Sequence, residues 1–390
     1  GGSDDISRMI GVLGAVNYTW KNRYFTDISG RLDGSSKFGG NNRWAKLWSV
    51  GIGWNAHEED FLKDSKLINL LRFRASTGFT GSQNYNPNQA LTMFDYIRGD
   101  FYFWSLPGAA LKAMGNENLK WQRTRKHNIG VDLQLFNKRV SASGNFYIDD
   151  SMDALTQVSL PPSLGFNSYT ENLGQVRNRG YEFNFSVIAI SRPQENFYWT
   201  LFVNAAHNKN TLMKISNFLD AWNAEQDAQV SSNPKVRFEE GQDMNAIWVV
   251  PSLGIDPATG QEIFLTKDGE FTNVWNPEDQ VVAGTKTPDL FGSFGTQLTL
   301  NKWQLNVYML YSYGGETYNQ TLVNRVENAN PNFNVDSRVF MDRWREPGDV
   351  SHFKNITNLA TTQPTSRFIE DNNYLRMTSF SLQYEFDRSQ

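Results

Sequence analysis

Between residues 128 and 135 the chain reads Asn128, Ile129, Gly130, Val131, Asp132, Leu133, Gln134, Leu135, so every second side chain is aliphatic and the rest are polar or Gly. That period of two belongs to an extended strand with one apolar and one polar face. The pattern recurs. Val140, Ala142, Phe146 and Ile148 oppose Ser141, Ser143, Asn145 and Asp149; Tyr181, Phe183, Phe185 and Val187 oppose Glu182, Asn184 and Ser186. Trp303, Leu305, Val307 and Met309 alternate with Gln304 and Asn306, and Phe380, Leu382, Tyr384 and Phe386 with Ser379, Ser381, Gln383 and Glu385. The pattern predicts about eleven strands, near 8–20, 22–33, 45–56, 68–80, 125–137, 138–150, 178–190, 196–208, 288–300, 302–314 and 373–387. Most are well beyond the usual strand length of about 5–6 residues and long enough to cross a bilayer at a tilt. Helical signals are confined to a short turn around Glu58–Phe61 and a helix around Phe218–Ala228.

The links between these strands carry a second signal. Tight ones are expected at Lys21-Asn22, Phe136–Lys138, Ser191–Asn196 and Asn301-Lys302, a medium one at Ala56–Leu67, and longer ones at Gly34–Trp44, 81–124, 151–177, 209–287 and 315–372. Short and long alternate, as in a transmembrane up-and-down antiparallel barrel with tight turns on one side and long extracellular loops on the other. The polar faces are rich in Gly, Ser, Asn, Thr and Gln, as suits a crowded lumen. A mean hydropathy of -0.53 does not oppose this, because a barrel strand shows lipid to every second residue only. No stretch reaches the roughly 20 apolar residues of a membrane helix. Aromatics form 14% of the chain, enough to supply interface girdles. Tyr18, Trp20, Trp199 and Trp303 are expected as interface anchors.

Other classes lose ground on chemistry. Without cysteine there is neither a disulfide framework nor a thiolate metal site, and a net charge of -4 argues against a nucleic-acid partner. His57, His127, His207 and His352 form no metal-ligand spacing. Asp149, Asp150 and Asp153 cluster at a strand end, where a solvated loop edge or an adventitious cation site is expected. No nucleophile elbow, phosphate loop or dinucleotide fingerprint appears, so neither catalysis nor a cofactor is expected. The aromatic run Tyr96, Phe101, Tyr102, Phe103 and Trp104 falls in a long loop and is a candidate substrate contact, since sugars stack on rings. Trp222, Trp248 and Trp275, in the largest loop, are weaker candidates.

Seven motifs, in one order over nearly the whole chain, resemble those of the SusC/RagA family of TonB-linked outer-membrane proteins. Arg31-Leu32-Asp33-Gly34-Ser35-Ser36-Lys37-Phe38-Gly39 with Trp48-Ser49-Val50-Gly51-Ile52-Gly53-Trp54 is similar to RxDGSSxFG…PSxxxGW, with Leu47-Trp48 replacing the usual Phe-Pro. Leu71–Gly81 resembles LKxRxSYGxTGN, Asn116–Gln122 resembles NPNLKWE, and Asn172–Glu182 resembles NxGxVxNxGxE. Gly254–Gly260 resembles GIDPxTG, Arg343–Asp349 resembles RWxxPGD, and Arg367–Arg376 resembles SRxVEDxSYLR. The resemblance implies part of a 22-stranded transporter barrel. It also implies an outer-membrane location and import of oligosaccharides or peptides with a SusD-like surface lipoprotein, driven by TonB-ExbB-ExbD. On this reading residues 1–390 are barrel, while the signal peptide, plug domain, TonB box and last strands lie outside them. Two alternatives stay open: a secreted or surface all-β polysaccharide-binding protein, and a passive porin.

Overall fold

The computed structural model describes residues 6–38, 40, 42–83, 90–96, 102–103, 106–159, 168–172, 174–214 and 218–386. Eleven long strands form one sheet: β1 (Met9–Trp20), β2 (Tyr24–Ser35), β3 (Trp44–Asn55), β4 (Ile68–Ser82), β5 (Gln122–Leu135), β6 (Val140–Met152), β7 (Gln175–Arg192), β8 (Phe197–Lys214), β9 (Leu290–Leu300), β10 (Trp303–Tyr313) and β11 (Tyr374–Tyr384). They neighbour one another in chain order, with β1 and β11 as the open edges. Pairing from β1 through β8 is antiparallel throughout. All eleven expected strands are present; β7 and β8 reach 18 residues each.

Sequence sets this register through its turns. The short links place Lys21, Asn22, Phe136, Asn137, Lys138, Asn196 and Asn301 at positive φ, the left-handed backbone that matches the twist of paired strands and that Asn tolerates best. At one point the expected alternation fails, since the link 56–67 on the short-turn side is longer than the link 36–43 on the other. The longer link is not loose. It begins with a single helical turn, Ala56–Glu58. Glu59 then accepts from Arg23 Nη1 (2.9 Å), Tyr24 OH (2.6 Å) and Trp54 Nε1 (3.1 Å), tying it to the neighbouring turn. The Tyr24 bond, followed by the Trp54 bond, holds the Glu59 carboxyl below its usual range.

The chain divides into two compact units, Gly1–Phe218 with Ser293–Tyr308 and Thr378–Gln390, and Leu219–Gly292 with Met309–Met377. The second unit has its own core of Ile247, Val249, Tyr318, Val323, Val326, Val339, Phe353 and Phe368. The expected helix is present as Phe218–Asp227. Sequence periodicity does not reveal the helical run from Gln320 through Glu327 or the small sheets built from strands of five residues or fewer.

Candidate functional site

Partners across an antiparallel ladder share a face, so the register sorts the side chains of β1 to β8. One face carries Val16, Ile28, Val50 and Thr77 in one row, and Phe73, Val131, Gly144 and Phe183 in another. Its apolar groups are open: Val16 is 65% exposed, Ile52 56%, Ile129 63% and Phe146 44%. A contiguous apolar surface of this extent is not left to water by a soluble chain. Along β7 the stripe runs from Tyr181 to Ile190, with a bulge between Ile188 and Ile190. At about 3.3 Å per residue that is about 30 Å of strand, or about 23 Å of height at a tilt near 40°, which matches the apolar band of an outer-membrane barrel.

All four expected interface aromatics lie near the short turns. Tyr18 and Trp20 precede the first turn, Trp199 follows Asn196, and Trp303 follows Asn301 and Lys302; all are exposed. Trp20 stacks on Tyr24 at 5.7 Å, and Trp303 meets Tyr384 at 4.8 Å.

The opposite face is polar, and several of its charges are paired. Arg74 reaches Asp132 through Nε (2.9 Å) and Nη2 (3.1 Å), and the same Nη2 donates to Asn145 Oδ1 at 2.9 Å. Gly130 leaves room for this group, since a Cβ there would lie 2.6 Å from Asn145 Oδ1. A cavity of about 390 Å³ opens beside β1 to β4, with Arg31, Asp33, Leu47 and Trp121 among its walls.

Asp149, Asp150 and Asp153 are not a solvated edge. Adjacent strand residues alternate faces, so Asp149 pairs with Lys126 (3.4 Å) on the polar side. Asp150, buried on the other side, takes Arg125 (2.9 Å) and Arg177 (2.6 Å). Asp153 takes Lys120 and Arg123. Period-two reading reveals such ion pairs only once the register is known.

The second unit collects the later motifs. Arg367 binds Glu262 through both Nε and Nη2 at 2.7 Å each, and Nη2 also donates to Glu327 at 2.8 Å. Burial pulls the Arg367 pKa down, but the Glu262 and Glu327 carboxylates outweigh it and leave it raised. Arg343 spends its guanidinium on backbone carbonyls, at Val339 (2.8 Å), Lys354 (2.7 Å) and Val326. Burial lowers the pKa of both Arg343 and Lys354. Two distant motifs dock on each other here: Gly348 N and Trp344 Nε1 both donate to Pro257 O, at 2.8 and 3.0 Å. The Trp344 ring lies over Gly260, whose φ of +70° and missing Cβ the packing requires.

The candidate contact residues separate. Tyr96 is 75% exposed; Tyr102 and Phe103 form a short strand paired with Leu106–Pro107. Phe101 and Trp104 lie outside the described residues. Trp222 packs against Phe238 with ring centres 5.3 Å apart and tilted by 36°, and Trp275 donates Nε1 to Pro364 O at 3.1 Å. Trp248 is only 4% exposed, with the Arg237 guanidinium 5.6 Å from its ring centre. No group of acidic or histidine side chains among the described residues could hold a metal ion.

Sheet, exposed apolar band and one-sided long links together define an outer-membrane strand barrel. The chain belongs to the family described as "TonB dependent receptor-like, beta-barrel", which it matches over residues 2–359. A TonB-dependent receptor of Formosa agariphila is 27% identical over 98% of this chain, and the TonB-dependent receptor SusC of Bacteroides thetaiotaomicron 29% over 78%. The chain spans 39% and 32% of those proteins' lengths. Among solved structures, that of the RagAB peptide transporter matches 97% of this chain and 41% of its own with a TM-score of 0.83 at 22% identity, which is a likeness of fold. The family is one of outer-membrane receptors, with SusC among the proteins similar to this chain, and the apolar face is therefore its lipid face.

Proposed function

We propose that the full-length protein imports an oligomeric nutrient, a glycan or a peptide, across the outer membrane. In it these eleven strands supply part of a barrel whose remaining strands and plug lie outside residues 1–390. A SusD-like surface lipoprotein meets the second unit, and TonB-ExbB-ExbD supplies energy through the plug. The observation that carries the reading is the sheet itself: one face apolar and open, the other lined by polar groups that include cross-strand ion pairs, with the longest links all at one end. The open edges at β1 and β11 favour further strands, because backbone N–H and C=O groups left unpaired in lipid each cost several kcal/mol. Tyr96, Phe101, Tyr102, Phe103, Trp104, Trp222, Trp248 and Trp275 are the proposed ligand-contacting aromatics, and Tyr18, Trp20, Trp199 and Trp303 the proposed interface anchors.

The test is uptake of labelled oligosaccharide and peptide mixtures by cells carrying or lacking the gene, with and without a protonophore. Uptake that needs the gene and collapses with the proton gradient is expected, together with a lipoprotein that co-purifies with the tagged receptor. Uptake indifferent to the protonophore indicates a passive porin and overturns the proposal.

A further inference from the structure

The lipid face does not end in neutral residues on its long-link side. Directly beyond the row Ile129, Phe146, Tyr181 and His207 comes the row His127, Ile148, Arg179 and Lys209, and then Arg125, Asp150, Arg177 and Thr211. Arg179 and Lys209 are direct cross-strand partners, both exposed. Like charges placed opposite each other destabilise a ladder. Among the described residues the carboxylates next to this row are already committed: Asp150 to Arg125 and Arg177, and Asp153, just past the strand end, to Lys120 and Arg123. Glu182 and Asp149 lie on the other face, in register with Asn145 and Asn178. Among the described residues neither Arg179 nor Lys209 has an acidic partner, whereas on the polar face Arg74 and Lys126 do. A pair of cations on a lipid-facing surface, without an acidic partner among the described residues, calls for an anion.

Height identifies that anion. Arg179 follows the end of the apolar stripe at Tyr181 by two residues, about 6.6 Å of strand, which is the headgroup level of the leaflet on the long-link side. The Tyr181 and His207 rings, stacked 5.0 Å apart, form the last ring pair beneath it. Two cations side by side, with a guanidinium that forks onto phosphate oxygens, suit a phosphomonoester better than a zwitterionic headgroup. We infer that Arg179 and Lys209 hold the phosphate of an anionic lipid of that leaflet, with Arg177 and Arg125, positioned by Asp150, flanking it. This rests on the membrane location alone and is independent of what the barrel imports.

The experiment is native mass spectrometry of the full-length protein in detergent, titrated with a diphosphorylated glycolipid or its enzymatically dephosphorylated form. Retention of the phosphorylated lipid only is expected. Arg179→Gln with Lys209→Gln should weaken that retention by about tenfold or more, whereas Arg179→Lys with Lys209→Arg should keep most of it. Lys126→Gln on the polar face should change nothing. Heat-modifiable gel mobility checks that each variant is folded. Equal binding of the two lipids, or retention undiminished in a folded double-Gln variant, overturns the inference. Displacement of the lipid by inorganic phosphate would make this a site for the free anion and overturns it as well.

Discussion

Arg367→Met is the substitution with the largest expected effect on the second unit. The Arg367 side chain is 4% exposed, and its partners are equally enclosed, Glu262 at 10% and Glu327 at 0%. Methionine fills most of the volume but returns neither the bidentate pair on Glu262 nor the bond to Glu327. Removing one member of a buried ion pair costs about 3–5 kcal/mol, because the survivor stays buried and charged. Glu327 keeps Thr362 Oγ1 at 3.1 Å and the Lys354 N–H at 3.3 Å, so the low end, about 3 kcal/mol, is expected. That corresponds to about a 150-fold rise in local opening. The assay is hydrogen exchange in detergent, read at the core amides of Val249, Val326 and Val339. Those should lose protection by this factor, while amides of β5 to β8 stay unchanged. Glu327→Gln should cost less alone, and Arg367→Met with Glu327→Leu should recover part of the loss, because one carboxylate, Glu262, instead of two is then left without its cation. If the single costs add to within about 0.5 kcal/mol, the pair is not coupled and the reasoning fails. Alkali should not imitate the substitution. A cation whose folded pKa is raised contributes stability below its unfolded pKa and loses it only as pH climbs through the raised value, here above the ordinary arginine range.

Other substitutions test other levels. A Cβ on Gly180 would lie 2.2 Å from the His207 carbonyl oxygen and 2.6 Å from the Tyr147 hydroxyl, so Gly180→Ala should cost about 1–3 kcal/mol and lower the unfolding temperature in detergent. Trp20→Ala and Trp303→Ala should each weaken bilayer stability by about 2 kcal/mol, read by urea unfolding in liposomes; an equal effect from a lumen-side ring would refute their role as anchors. Asp336 caps the helical turn Ser337–Phe340, and the Arg338 guanidinium, then its N–H, hold the carboxyl at about 2. Its contribution should be complete above about pH 4 and vanish as pH falls through about 2, with Asp336→Asn flat over that window.

How far the sequence carries depends on the range of the interaction. Strands β1 to β11 are legible because alternation is local and the turns Lys21-Asn22 and Asn301-Lys302 announce themselves. Even the cations at Arg177 and Arg179 share parity with Tyr181 and Phe183, so their face is readable once the apolar side is known. The burial of Trp248 is not legible because it stands in a short strand, Ala246–Val249, covered on both sides, where neighbouring Ile247 and Val249 are buried as well. The Asp149–Asp153 group misleads because its partners sit on other strands. In the second unit the decisive pairs, Glu262 with Arg367 and Pro257 with Gly348, are separated by links whose short strands carry no period. The motifs mark those residues without saying what they touch.

That long-range pairing alters how loop variation should be read. The segment leaving β8 and the segment between β10 and β11 are separate insertions in sequence, yet they fold as one body. Val250 exchanges backbone bonds with Pro364 (3.2 Å) and Ser366 (3.1 Å), Ser252 N–H donates to Ser366 Oγ at 2.9 Å, and the core draws on both segments. Ordering each residue costs about 1–2 kcal/mol of backbone entropy, and neither segment has enough apolar surface to offset that alone, since Ile247 and Val249 come from one and Val326, Val339, Phe353 and Phe368 from the other. Exchanging one segment with that of a relative should therefore unfold both, and exchanging the two together should preserve the unit. Limited proteolysis separates the cases: single exchanges should be cut within 219–292 and 309–377 alike, and the paired exchange in neither. Cleavage confined to the exchanged segment would mean that the two fold independently, and any ligand specificity could then be transferred one loop at a time.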